Sequence, residues 1–186
     1  MFNKNGGHIM KKITLKELTI NALGIALFVV LSMCLRVPVF ENYYLCLGYV
    51  VMTVYCYCVG IISGTLVGTI GVVLYCILIS GLRGMPGWAI GNFILGIVIG
   101  LTFKLVKKLK RPWLEDVISI AVIIVATAIA ILLVKSKVEN LLYYEPFLLR
   151  VVKNIYAFVA DVIVIVISIP ICRLLEPQLK LILERE

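Results

Sequence analysis

The stretch from Tyr44 to Ser80, YLCLGYVVMTVYCYCVGIISGTLVGTIGVVLYCILIS, contains no charged side chain. As one helix, at about 1.5 Å per residue, it would far exceed the roughly 30 Å hydrocarbon core of a bilayer. It is too long for a single crossing, and Gly60 is the break that divides it into spans over 44–59 and 61–80. Working outward, four further apolar runs follow: Leu18–Leu35, Trp88–Phe103, Leu114–Val134 and Val151–Leu175. The runs are continuous and do not alternate, which favours helices over a barrel. In lipid, backbone polar groups must also bond within their own segment. The second and fourth spans come to about 24 Å each, slightly short of a full crossing. The expected fold is an all-α membrane protein with six transmembrane helices, forming a single integral membrane domain over 1–186.

Composition agrees. Of the 186 residues, 62% are hydrophobic and only 15% charged, with a mean hydropathy of +1.11. Such a chain is not a soluble domain, a disordered segment or a disulfide-framed secreted fold. The first apolar run follows Lys11, Lys12 and Lys16 but lacks a small-residue cleavage site, so it reads as a retained span. The net charge of +8 is first a matter of topology. Twelve of the 18 lysines and arginines fall on the side holding both termini, among them Lys104, Lys107, Lys108, Lys110 and Arg111. The positive-inside rule therefore places both termini in the cytoplasm. Some of the remaining cations, Arg36, Arg83, Lys135, Lys137, Arg150 and Lys153, stand close enough to helix ends to line a site. The basic 104–111 cluster reads as a loop on anionic headgroups, with no aromatic platform for nucleic acid.

No metal or cofactor is expected. The six cysteines lie in or beside apolar runs without a C-x-x-C pair, and the lone His8 is in the polar tail. The chain also lacks a phosphate-binding G-x-x-x-x-G-K-[ST] loop, H-E-x-x-H, G-x-S-x-G and paired in-membrane carboxylates. An enzyme is therefore disfavoured.

Small residues form three stripes: Ala22 and Ala26; Gly60, Gly64, Gly68 and Gly71; and Gly87, Gly91, Gly96 and Gly100. Lipid supplies no hydrophobic drive between helices, so such residues permit close packing. The two glycine stripes read as internal packing, whereas Ala22 and Ala26 suit either a bundle contact or a partner helix.

Six short spans with cytoplasmic ends and A-x-x-x-A in the first helix resemble the S component of energy-coupling factor (ECF) vitamin transporters. Val59-Gly-Ile-Ile-Ser-Gly-Thr-Leu-Val-Gly68 and Gly84-Met-Pro-Gly-Trp-Ala-Ile-Gly-Asn-Phe-Ile-Leu-Gly96 resemble that family's glycine-rich third and fourth helices. The chain departs at Ile61, where proline is frequent, and at Val72–Val73, where an acidic residue is frequent. The resemblance implies a subunit of the cell membrane that captures a water-soluble vitamin or precursor from outside. It would hydrolyse nothing itself and would dock on a membrane T component carrying two cytosolic ATPases. By the same resemblance Ala22 and Ala26 are the docking surface, and the outer loops close over the substrate. The alternative is a stand-alone secondary transporter or a membrane assembly partner, although no internal repeat is evident.

Polar groups in lipid are costly and so are the candidate ligand contacts. Arg150, Asn154, Ala157 and Asp161 share one helical face that descends about 16 Å from the outer rim. Asp161 either faces ligand or is satisfied by a neighbouring helix. Trp88 and Asn92, four apart, pair an aromatic plane with an amide, which suits a planar nitrogen heterocycle. Trp88 equally suits an interfacial belt. Tyr43 and Tyr44 belong to the first outer loop, while Arg36 and Arg83 suit a substrate carboxylate or phosphate. Riboflavin, folate, pantothenate, pyridoxine, a thiamine-pyrimidine precursor and a queuosine precursor all fit these groups.

Overall fold

The computed structural model describes residues 14–34, 38–40, 43–109 and 111–184. Helix α1 (Leu15–Cys34) leads to a hairpin of β1 (Pro38–Phe40) and β2 (Tyr43–Tyr44), antiparallel with Pro38 opposite Tyr44. Then come α2 (Gly48–Cys58) and α3 (Ile61–Tyr75), the latter ending in a π-helical turn over Cys76–Ser80. Helix α4 spans Met85–Val106. Helix α5 (Pro112–Thr127) continues through a π-helical stretch, Ala128–Lys135, into α6 (Ser136–Tyr143). The last helix, α7, runs from Phe147 to Glu184 through Pro170 and Pro177. Five of the described helical segments are long and apolar enough to cross a membrane, and α2 is a shorter apolar helix between them.

Local chemistry explains the helix ends. At the start of α1, the Thr14 backbone N–H donates to Glu17 (3.1 Å) and the Glu17 N–H to the Thr14 hydroxyl (3.2 Å), a reciprocal capping box. Proline stands in the first turn of both α4 and α5, where no N–H is missed. Gly60 divides the long uncharged stretch at a φ of 138°, a backbone state that a Cβ makes costly.

Three boundaries differ from the hydropathy reading. The second helix starts at Gly48 and not Tyr44, because Tyr43–Tyr44 pair in the hairpin; α2 rises only about 16 Å. The expected outer loop from Lys135 to Arg150 is mostly helix, leaving Tyr144–Pro146 as the connection. Hydropathy records where lipid stops, whereas a helix continues while its polar side chains have partners. Those partners exist here, since Asn140 Nδ2 donates to the Glu145 carbonyl at 2.6 Å and α7 receives Ser136 and Glu139. Helix α7 is also longer than its apolar run and rises about 57 Å, reaching past the bilayer.

Helix α3 is the hub, packing on α1, α2 and α4. A Cβ on Gly64 would lie 2.6 Å from the Cys56 backbone nitrogen, one on Gly68 would strike Met52, and one on Gly71 would lie 2.6 Å from the Phe28 ring. The α4 stripe serves two neighbours. Gly87 and Gly91 admit the Lys135 and Ala130 carbonyls, whereas Gly96 and Gly100 press on Thr65 and Ile61 of α3. The five-residue step between Gly91 and Gly96 explains the change. It turns the stripe about 140° around the axis, where a four-residue step turns it about 40°.

The inner ends are tied by polar contacts. Tyr55 donates to the Ile20 carbonyl at 2.9 Å. Lys107, read from the sequence as part of a headgroup-facing cluster, turns inward to the Tyr57 carbonyl (2.9 Å) and Glu176 (3.0 Å). Lys104 and Lys108 remain exposed. Arg173 joins α7 to Asp116 at 2.7 Å and to the Pro112 carbonyl at 3.1 Å. Replacing Gly64 by alanine is expected to destabilise the bundle by about 1–3 kcal/mol through overpacking against immovable backbone. Gly84→Ala, with open space and a φ of −85°, should stay within about 0.5 kcal/mol. Thermal unfolding of both variants in detergent checks the contrast.

Candidate functional site

The outer half of α4 carries Trp88 and, one turn deeper, Asn92. Asn92 is fully buried. Its Nδ2 donates to the Gly68 carbonyl of α3 at 3.1 Å, and its Oδ1 accepts from the Tyr49 hydroxyl of α2 at 2.7 Å. That hydroxyl in turn accepts from Trp88 Nε1 at 2.8 Å. A carbonyl can hold only the NH₂ end of the amide, so Gly68 fixes the direction of the whole chain, and Tyr49 must spend its single proton on Asn92. Tyr75 meets the Trp88 ring edge-on, with centroids 5.8 Å apart. The indole is thereby held in one orientation by three helices and is only half-buried.

Two charged groups face this chain. Asp161 of α7, 4% exposed, looks toward the Tyr49 hydroxyl and feels the charge of Lys135. Lys135 places its ammonium 5.8 Å from the Trp88 ring centroid, a cation–π distance. It closes the π-helical stretch of the fifth crossing, and such widened turns recur at functional sites because they rotate side chains out of the ordinary α register. Close approach at Gly87, whose Cβ would sit 3.0 Å from the Lys135 carbonyl, brings that stretch against α4.

Toward the rim, Glu145 organises the polar groups. It accepts from Arg83 at 2.6 Å and from Arg150 at 2.5 Å. Arg83 also lies over the Tyr143 ring at 5.2 Å, and the Tyr143 hydroxyl donates to the Arg83 carbonyl. Deeper, Asn154 donates to Ser136 (2.9 Å) and Glu139 (3.2 Å), and Arg150 approaches Glu139 at 3.8 Å. The loop before α4 and the turn before α7 are thus joined through one carboxylate.

Among the residues selected from the sequence, Trp88, Asn92 and Asp161 therefore converge on the Tyr49 hydroxyl, with Asn154 and Arg150 nearer the rim on the α7 face. Arg83 reaches the rim from the opposite loop. Tyr43 and Tyr44 contribute backbone to the hairpin, which touches α7. Arg36 lies outside the described residues. Ala22 and Ala26 are exposed on α1, turned away from Gly24 and Phe28, which face the bundle. Sequence reasoning passed over Tyr49, which looks like any aromatic in an apolar span. It also passed over Glu139, whose partner Asn154 lies across a turn, and it read Lys135 only as one of several outer cations close enough to helix ends to line a site.

Tyr49→Phe removes the hydroxyl that both Trp88 and Asn92 use. It should cost about 1–3 kcal/mol, the penalty for leaving buried polar groups unpaired. Chemical unfolding followed by tryptophan fluorescence would measure this, and an unchanged midpoint would contradict the chain as described.

A family model described as the ECF-type riboflavin transporter, S component, matches residues 12–176. No curated protein is significantly similar to the chain.

Proposed function

The chain belongs to the ECF-type riboflavin transporter S component family, and from that premise we propose that it binds riboflavin from outside and passes it inward on an ATP-driven complex. It is a substrate-binding subunit of a transporter and a multi-pass membrane protein. The observation that carries the choice of ligand is the fixed, half-buried Trp88 ring with the Lys135 ammonium 5.8 Å from its centroid. A planar tricyclic ring gains stacking on the indole, and its polar edge requires hydrogen-bonding groups once water is excluded. Asn92 acts by holding Tyr49, and through it Trp88, in place. Asn154, Arg150 and Arg83 stand higher, toward the rim, where a polyol chain or a closing loop belongs.

The energy comes from partners: a membrane T component and two cytosolic ATPases, docked on α1. Ala22 and Ala26 support this assignment by being exposed on the helix surface in a strip flanked by Leu18, Leu23 and Val30. Small side chains there let another helix backbone approach closely.

Titration of the detergent-purified chain with riboflavin should quench flavin fluorescence at one equivalent, since stacking on indole is an efficient quenching geometry. Native mass spectrometry should release the same vitamin. If neither riboflavin nor a panel of other vitamins binds, the reading fails. Replacing Ala22 and Ala26 together by leucine should abolish uptake in vesicles containing the partners. Because the site is far from that surface, riboflavin affinity should remain within about twofold. Uptake that survives with binding unchanged would remove the docking assignment.

A further inference from the structure

At the other end of α4 from Trp88, about 24 Å away along the helix axis, the bundle holds a cavity of about 530 Å³. Its walls are the α2–α3 junction around Gly60, Glu17 in the first turn of α1, and Phe103, Lys104 and Lys107 at the end of α4. A Cβ on Gly60 would meet nothing within 4 Å, so the junction borders open space. Tyr57 and Phe103, edge-on with centroids 5.0 Å apart, supply an aromatic wall. The Lys107 ammonium stands 3.5 Å from the Tyr57 ring centroid; it gives protons to the Tyr57 carbonyl and Glu176 and keeps a third. Lys104 is exposed and, among the described residues, has no hydrogen-bond acceptor or carboxylate against it. Other inner cations are paired: Lys180 with Glu176 and Arg173 with Asp116. Two ammonium groups thus line the cavity against one carboxylate, Glu17, which already accepts from the Thr14 N–H.

The cavity has an apolar continuation. Ile62 at its rim is 76% exposed, and Leu66, Ile70 and Leu74 follow on α3 at four-residue steps, all exposed. From Ile62 to Leu74 the helix rises about 18 Å, close to the roughly 15 Å depth of one leaflet. Cations at one end and a hydrocarbon-length stripe at the other match a single molecule with an anionic head and an acyl tail. We propose that this cavity is a discrete site for an anionic phospholipid of the inner leaflet. Lys104 and the remaining proton of Lys107 hold its phosphate, and an acyl chain lies along the stripe from Ile62 to Leu74. A loop merely resting on headgroups would use Lys108 as much as Lys104, but Lys108, although exposed, does not line the cavity. The site is remote from Trp88 and does not rest on riboflavin being the ligand.

The test is native mass spectrometry of the full chain, delipidated in detergent and titrated with phosphatidylglycerol or phosphatidylcholine of the same acyl chains. One phosphatidylglycerol should be retained per chain, at least about tenfold more tightly than phosphatidylcholine. Lys104→Gln should weaken it about fivefold, the attraction of one lysine for an anionic surface, whereas Lys108→Gln should leave it within about twofold. Ile62→Ser should weaken it too, which a contact with the headgroup alone would not produce. Excess inorganic phosphate should not displace the lipid. Equal binding of the two lipids, equal losses from Lys104→Gln and Lys108→Gln, or displacement by inorganic phosphate would each overturn the inference, the last by making this a site for soluble anions. So would a Lys104→Gln chain that binds the lipid normally yet no longer assembles with partner subunits, since the cavity would then be a protein contact. Lys104 and Lys108 are both exposed, so the comparison between them does not depend on repacking the bundle.

Discussion

In a bilayer the surrounding lipid accommodates apolar side chains as well as a neighbouring helix does. Helices therefore hold together only where their backbones come close enough for dense van der Waals contact and for hydrogen bonds between them. In this protein that approach is made by glycine. Gly64, Gly68 and Gly71 let α2 and α1 settle on α3, while Gly96 and Gly100 do the same between α3 and α4. The rest depends on these distances. The Asn92 side chain reaches the Gly68 carbonyl because α4 lies close against α3, and that bond orders the Tyr49 and Trp88 contacts. On the other side of α4, Gly87 and Gly91 admit the π-helical stretch that carries Lys135. Packing and polar geometry are one arrangement here.

Charged groups are distributed in three layers. At the inner ends Lys107, Glu176, Arg173 and Asp116 tie α4, α5 and α7 together, and at the rim Glu145 ties two loops through Arg83 and Arg150. Between them lie Asp161 and Lys135, the latter 5.8 Å from the Trp88 ring centroid. The first two layers are satisfied by one another and stabilise the bundle modestly, since partly exposed ion pairs contribute little individually. The middle layer is different. Lys135 faces a half-buried indole at a cation–π distance, and charge at that depth is costly unless it is partnered.

The outer surface of α1 has another character. Most of the polar and glycine-mediated contacts serve the bundle itself, whereas Ala22 and Ala26 are exposed among exposed leucines. In the function proposed above, ligand recognition and association with other membrane subunits fall on separate surfaces.

The membrane class and the spans were legible in the residues, because lipid imposes length and apolarity on a helix irrespective of its neighbours. The division at Gly60 was equally legible, since no other residue type tolerates its backbone state well. The helical face of Arg150, Asn154 and Asp161 followed from periodicity alone. What the sequence could not supply was partnership. Nothing in the order of residues distinguishes Tyr49 from its aromatic neighbours until α4 brings Trp88 and Asn92 against it. Likewise Lys135 is only another outer cation until a π-helical stretch and Gly87 carry it to an indole ring. Helical periodicity and hydropathy are local properties of the chain. Which donor meets which acceptor across α2, α3, α4 and α7 is decided by how closely their backbones approach, and that exists only in the folded bundle.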